Sequence, residues 1–160
     1  MKLRQFGIEI RWGLWFSAAV LLWLGFEKFM GWHDAQIEMH AIYTNLFAIV
    51  AMTMYFFALK DKRDTDYEGK ISWKQAFISG IVLSVVITLL SPVMQHIGHT
   101  YISPEYFPNI IEYVVDKGRM SQDEAENYFS LKSYIMQSAF GALTMGVVTA
   151  AIVALFVKKQ

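Results

Sequence analysis

The sequence contains no cysteine, only three prolines, and charged side chains at just 18% of its 160 positions. Without thiols there are no disulfides, no zinc–thiolate sites and no cysteine nucleophile, and nothing in the composition marks a redox compartment. Basic and acidic residues number 14 each, so the net charge is zero and no general attraction to nucleic acid is expected. The chain also lacks a glycine-rich phosphate loop, a nucleophile elbow, a zincin-type histidine motif and a Ser/His/Asp set. No enzymatic activity and no cofactor are therefore expected.

What the chain has is apolar length. Hydrophobic residues make up 55% and aromatics 16%, both high for a soluble domain of this size. Stretches 12–30, 41–59, 71–91 and 134–157 each approach or exceed the roughly 20 residues needed to cross a bilayer. In hydrocarbon every backbone amide must bond within its own segment, so these are expected to be helices. The expected fold class is all-α, a single four-helix transmembrane domain over residues 1–160. The basic opening "MKLRQ" resembles the start of a signal peptide. The apolar stretch behind it is too long for one and three more follow, so a retained signal anchor is expected.

Lysine and arginine in short loops mark the cytoplasmic side. Lys2, Arg4 and Arg11, then Lys60, Lys62, Arg63, Lys70 and Lys74, then Lys158 and Lys159 make ten of the 14 basic residues, all at one end of an up-down arrangement. Both termini are therefore expected inside and the other two loops outside, with Trp12, Trp15 and Trp73 as inner and Trp32 as outer interface anchors.

The first outer loop, "GWHDAQIEMH", is short. The second is long but patterned, and two short helices are expected in it, at about 104–117 and 122–130. Ser103 is a candidate N-cap with Pro104 at the first helical position, and Gly118 a stop. Phe107, Ile110, Ile111 and Val114 share a face that would pack on the tops of the spans or lie in the membrane interface. "SQDE", Ser121–Glu124, has capping-box form.

The last two spans carry small residues on a four-residue stride: Ser72, Ala76, Gly80, Ser84 and Thr88 in the third, and Ser138, Ala142, Gly146, Ala150 and Ala154 in the fourth. Lipid tails are as apolar as leucine, so helices in lipid associate through close packing that small side chains permit. Ser84, Thr88, Ser138 and Thr149 could add hydrogen bonds between helices. The stripes could face each other within the chain, or one could face a second copy or another membrane protein.

Ionisable groups inside spans are functional candidates by default. Glu27, near the outer end of the first span, is a candidate proton or cation ligand. Lys28 is expected to snorkel to the headgroups. Asn45 reads as a hydrogen bond between helices or, less simply, as part of a pathway. All four histidines, His33, His40, His96 and His99, fall in the outer loops, with Asp34, Glu38 and Glu105 nearby in sequence. Imidazole and carboxylate together suit zinc or another divalent ion, yet no pair has i, i+4 spacing, so no metal site is assigned and these four remain weak candidates.

"GKISWKQAFISG", "YISPEYF", "GRMSQDEAE" and the basic end "KK" resemble an uncharacterised bacterial membrane-protein family, domain of unknown function 4199. The resemblance covers roughly residues 69–159, and the first two spans match only in hydropathy. It implies a four-span protein of a Gram-negative inner membrane and transfers no activity to any residue. The leading expectation is a non-enzymatic assembly subunit that contacts itself or another membrane protein through small-residue faces. A small oligomeric transporter or channel is the alternative, and a periplasm-facing metal binder the second.

Overall fold

The computed structural model describes residues 6–159, so Lys2 and Arg4 lie outside the described residues. Helix α1 spans Gly7–Phe29. Helix α2, Ile37–Tyr43, passes through a short 3₁₀ turn, Thr44–Leu46, into α3, Phe47–Asp66. Helix α4, Trp73–Ile97, continues into a π-helical turn, Gly98–Ile102. Two short helices follow, α5 at Tyr106–Asp116 and α6 at Gln122–Tyr128, before α7 at Leu131–Val157. Four helical stretches are long and apolar enough to cross a membrane. Among the described residues there is no strand, only an isolated antiparallel bridge in which Ile71 and Lys159 exchange both backbone hydrogen bonds, at 2.8 and 2.9 Å.

The helices outrun the hydropathy windows. Hydropathy stops where charge begins, but helical hydrogen bonding does not. The last turns of α3 are charged and supported by pairs such as Lys62–Asp66, 2.7 Å apart at i, i+4. Helix α4 passes through Pro92. Proline has no N–H for the Thr88 carbonyl four residues back, and the Ser91 hydroxyl donates to that carbonyl instead, at 3.0 Å.

Helix α4 is the centre of the bundle, packing chiefly on α7 and then on α1. Large apolar side chains such as Leu22, Ile49, Leu89, Phe140 and Phe156 point outward, as expected where the surrounding solvent is hydrocarbon. Inside, the two small-residue strides meet. A Cβ on Gly80 would lie 2.4 Å from Ala150 Cβ, and one on Gly146 would lie 2.6 Å from Ser84 Oγ and 2.7 Å from the Tyr55 hydroxyl. Ala76, Gly80 and Ser84 of one stride and Gly146, Ala150 and Ala154 of the other are buried, while Thr88, Ser138 and Ala142 are half-buried.

Ser72 does not belong to this seam. It is exposed and caps α4, accepting from Gln75 N while the Gln75 side chain accepts from Ser72 N. Of the hydroxyls expected to bridge helices, Ser84 does so, 2.8 Å from Tyr55 on α3. Thr88 and Ser138 donate to carbonyls of their own helices. Asn45 is likewise corrected: its exposed amide donates to Ala41 O, 2.9 Å away in the preceding turn, because a short amide on a helix finds its nearest carbonyl one turn back.

At the end of the bundle holding the described basic loop residues, Glu9 is buried against Lys62 Nζ at 3.0 Å and accepts from Ser79 Oγ at 2.7 Å. Arg11 and Trp12 both donate to Asp61, tying α1 to α3.

At the opposite end α5 and α6 form a cap. Tyr106, Ile110 and Val114 of α5 are buried with Ala125 of α6, and Ile37, Phe129 and Tyr134 pack around them. Trp32, expected as an interface anchor, is buried and stacked on Tyr43 at 4.7 Å. Gly118 has φ of 62° and ends the cap's first helix. Ser121 and Glu124 form the capping box. The Ser121 N–H and hydroxyl hold the exposed Glu124 carboxyl below its ordinary range. A depressed folded-state value stabilises above the unfolded carboxylate range and is lost as pH falls through the folded value. Amide exchange at the start of α6 should therefore accelerate below the usual carboxylate range, and Ser121→Ala should move Glu124 back towards it in an NMR titration.

Candidate metal centre

The capped end places a carboxylate and three imidazoles around one tyrosine. Glu27 lies in the last turn of α1 with its side chain 1% exposed. Its Oε1 accepts from Trp23 Nε1 one turn back, at 2.8 Å, and its Oε2 faces the His33 ring. Gly31, with φ of 78°, reverses the chain, and Trp32 N returns to the Glu27 carbonyl at 3.0 Å. A left-handed residue just past a helix is what such a reversal requires. It folds His33 back over the carboxylate, so that His33 Nε2 lies 3.3 Å from Glu27 Oε2.

His33 is held from three sides. Its Nδ1 is 2.9 Å from Ser103 Oγ, its carbonyl accepts from Asn109 Nδ2 at 2.9 Å, and its ring lies 4.9 Å from that of Tyr106. Ser103 is therefore not the cap of α5: that helix begins at Tyr106 without a side-chain cap, and the Ser103 hydroxyl is spent on the imidazole. Helix α2 supplies His40, whose ring is 5.1 Å from that of His33 and 5.0 Å from that of Tyr106. Its buried Nδ1 has no hydrogen-bond partner among the described residues. One ligand atom each from Glu27, His33 and His40 lie within 4.8 Å of one another.

Two imidazoles and a carboxylate are donors that a first-row divalent ion takes. Zinc binds imidazole and carboxylate at about 2.0–2.2 Å, which at a tetrahedral angle sets donor atoms about 3.3–3.5 Å apart. The His33–Glu27 separation of 3.3 Å has that length, and it is long for a charge-assisted hydrogen bond, which closes to about 2.7–2.9 Å. Ser103 on the far nitrogen of His33 and Trp23 on the far oxygen of Glu27 stand where outer partners would orient these two donors toward an ion. Burial and the Tyr134 phenol push the Tyr106 hydroxyl far above its ordinary value. It stays protonated, bonded to Tyr134 at 2.9 Å, and forms a wall of the site.

The other sequence candidates divide. His99 is buried against Tyr106, 5.2 Å ring to ring. His96 is exposed, and among the described residues its ring meets Tyr101, at 6.1 Å. Lys28 does not reach for headgroups but donates to Ile102 O at 2.5 Å, closing α1 onto the π turn. Asp34, Glu38 and Glu105 are exposed and outside the cluster. Hollows on the cap surface, one along Arg119, Asp123 and Tyr128 and one along Ile111, Val115 and Glu126, include none of Glu27, His33 and His40.

The fold and the site define an all-α protein with four membrane-length helices and a buried histidine–carboxylate cluster under a two-helix cap. It belongs to the family described as Protein of unknown function (DUF4199), which matches residues 11–159. The match takes in the first two long helices, so the likeness there is wider than hydropathy alone. No curated protein and no solved structure matches the chain.

Proposed function

We propose that this chain is a metal-binding protein of a bacterial inner membrane that holds one divalent ion of the zinc class with Glu27, His33 and His40. The observation that carries the reading is the convergence of these donors within 4.8 Å at buried or half-buried positions. The positive-inside distribution supports cytoplasmic termini and an extracytoplasmic cluster. The ion would be structural: it would fasten the turn after α1 to α2, and through His33 to the cap. No reaction is proposed, because Glu27 and His33 are each about 1% exposed and leave no approach for a substrate. The expected role as an assembly subunit has less support, since Gly80 and Gly146 are covered within the chain. A channel has less still, with Asn45 exposed on the bundle surface.

Protein purified in mild detergent, equilibrated with zinc and desalted should retain one zinc per chain by elemental analysis. Glu27→Gln and His40→Ala should weaken binding by about 100-fold or more, at or beyond the top of the range for losing an outer-sphere partner. His96→Ala should bind as the wild type does. Absence of retained zinc, or equal retention by Glu27→Gln, would remove the reading.

A further inference from the structure

We propose that His99 is the fourth ligand of this centre and enters it when the ion binds, an inference that rests on the three-ligand reading above. Closed zinc sites take four protein donors, whereas open ones keep a water. A cluster this buried is supplied by protein more readily than by solvent. Nearby hydroxyls are committed elsewhere: Ser103 Oγ to His33, the Tyr106 hydroxyl to Tyr134, and Thr44 to Glu27.

His99 is not committed. It is 8% exposed, and its Nδ1 is buried with no hydrogen-bond partner among the described residues. Such a nitrogen is costly to leave unmade. Its ring is on the same tyrosine as those of His33 and His40, at 5.2 Å against 4.9 and 5.0 Å. Four residues earlier, Gln95 Oε1 is also buried without a partner. A ligating imidazole gives its second N–H to an acceptor of this kind.

The backbone that carries His99 is unusual in the same place. Residues Gly98–Ile102 form a π turn, closed by Ser103 N to Gly98 O at 2.8 Å. π turns insert an extra residue into a helix and occur frequently at functional sites. Gly98 lets this turn press on α1, since a Cβ there would lie 2.6 Å from Leu24 Cδ1, three residues before Glu27. One turn thus delivers both His99 and Ser103, the residue that holds His33. His99 lies outside the donors that converge within 4.8 Å, so its entry needs a shift of this turn or of its own side chain.

Cobalt(II) is the probe. Four-coordinate Co2+ has strong visible d–d bands, and five- or six-coordinate Co2+ has weak ones. Wild-type protein should take up one Co2+ with strong bands. His99→Phe keeps the aromatic stack on Phe107, which in the wild type is 4.4 Å between centroids. It should still bind Co2+, with a visible spectrum shifted as water takes the place of the imidazole, and should lose about 100-fold in zinc affinity, with His96→Phe unchanged. X-ray absorption at the zinc edge of the wild type should count three imidazoles, and it needs no variant. Two imidazoles, or a His99→Phe protein with the wild-type spectrum and affinity, would overturn the fourth-ligand assignment and leave the three-ligand centre standing. A wild type that binds neither ion would overturn both.

Discussion

Replacing Gly80 with alanine should destabilise the bundle by about 1–3 kcal/mol, the cost of forcing extra volume into a packed interior, and leucine should cost more. The added Cβ would stand 2.4 Å from Ala150 Cβ and 3.2 Å from Ala150 Cα. The obstacle is backbone-proximal, so no rotamer change relieves it and α4 and α7 must separate. Separation would also loosen Ala76, Ser84 and Ala154, all fully buried along the same seam. The clash is between two β-carbons, so a second change should reverse it: Ala150→Gly in the Gly80→Ala background should recover most of the loss. Equilibrium unfolding in mixed micelles would measure the four corners of this double-mutant cycle. A coupling energy near zero would mean the two helices do not meet at this point.

The second large effect is expected at the other end. Lys62→Met keeps the aliphatic stem and removes the ammonium that lies 3.0 Å from Glu9 Oε1 and 2.7 Å from Asp66 Oδ2. Asp66 is partly exposed and water can take over its charge. Glu9 is 3% exposed and would keep the Ser79 hydroxyl. Stranding one member of a buried pair costs about 3–5 kcal/mol, whereas replacing both with apolar groups is often neutral. Lys62→Met should therefore lower stability by that amount in the same unfolding assay, and adding Glu9→Leu should restore much of it. An additive double variant, worse than either single one, would show that the pair is not coupled.

The four long helices were legible because lipid enforces one solution for a long apolar stretch. Their ends were not, because charged residues such as those closing α3 extend a helix without extending its hydropathy. The strides in α4 and α7 were visible as spacing, but Ser72 shows the limit: the same hydroxyl that fits a small-residue stripe also fits a cap, and sequence spacing alone does not choose. Ser103 shows it again, since its cap chemistry is real but is used on an imidazole from another loop.

The proposed metal centre was scarcely legible. Glu27 stood out as an acid within an apolar helix, and the histidines stood out as possible ligands. Their convergence depends on a left-handed Gly31, on a helix break before His40, and on a cap that returns Ser103 and Asn109 to His33. None of these leaves an i, i+4 signature. The usable signal was an acid near the end of an apolar helix, followed by two histidines within 13 residues, at positions 27, 33 and 40. His99 was further hidden, since a π turn has no sequence rule of its own.

The most direct test of the account is anomalous diffraction at the zinc edge from crystals of the zinc-equilibrated protein. The predicted result is one strong peak bounded by Glu27 Oε2, His33 Nε2 and the His40 ring. A peak confined to exposed His96, or none beneath the cap while zinc is present in the crystal, would contradict it.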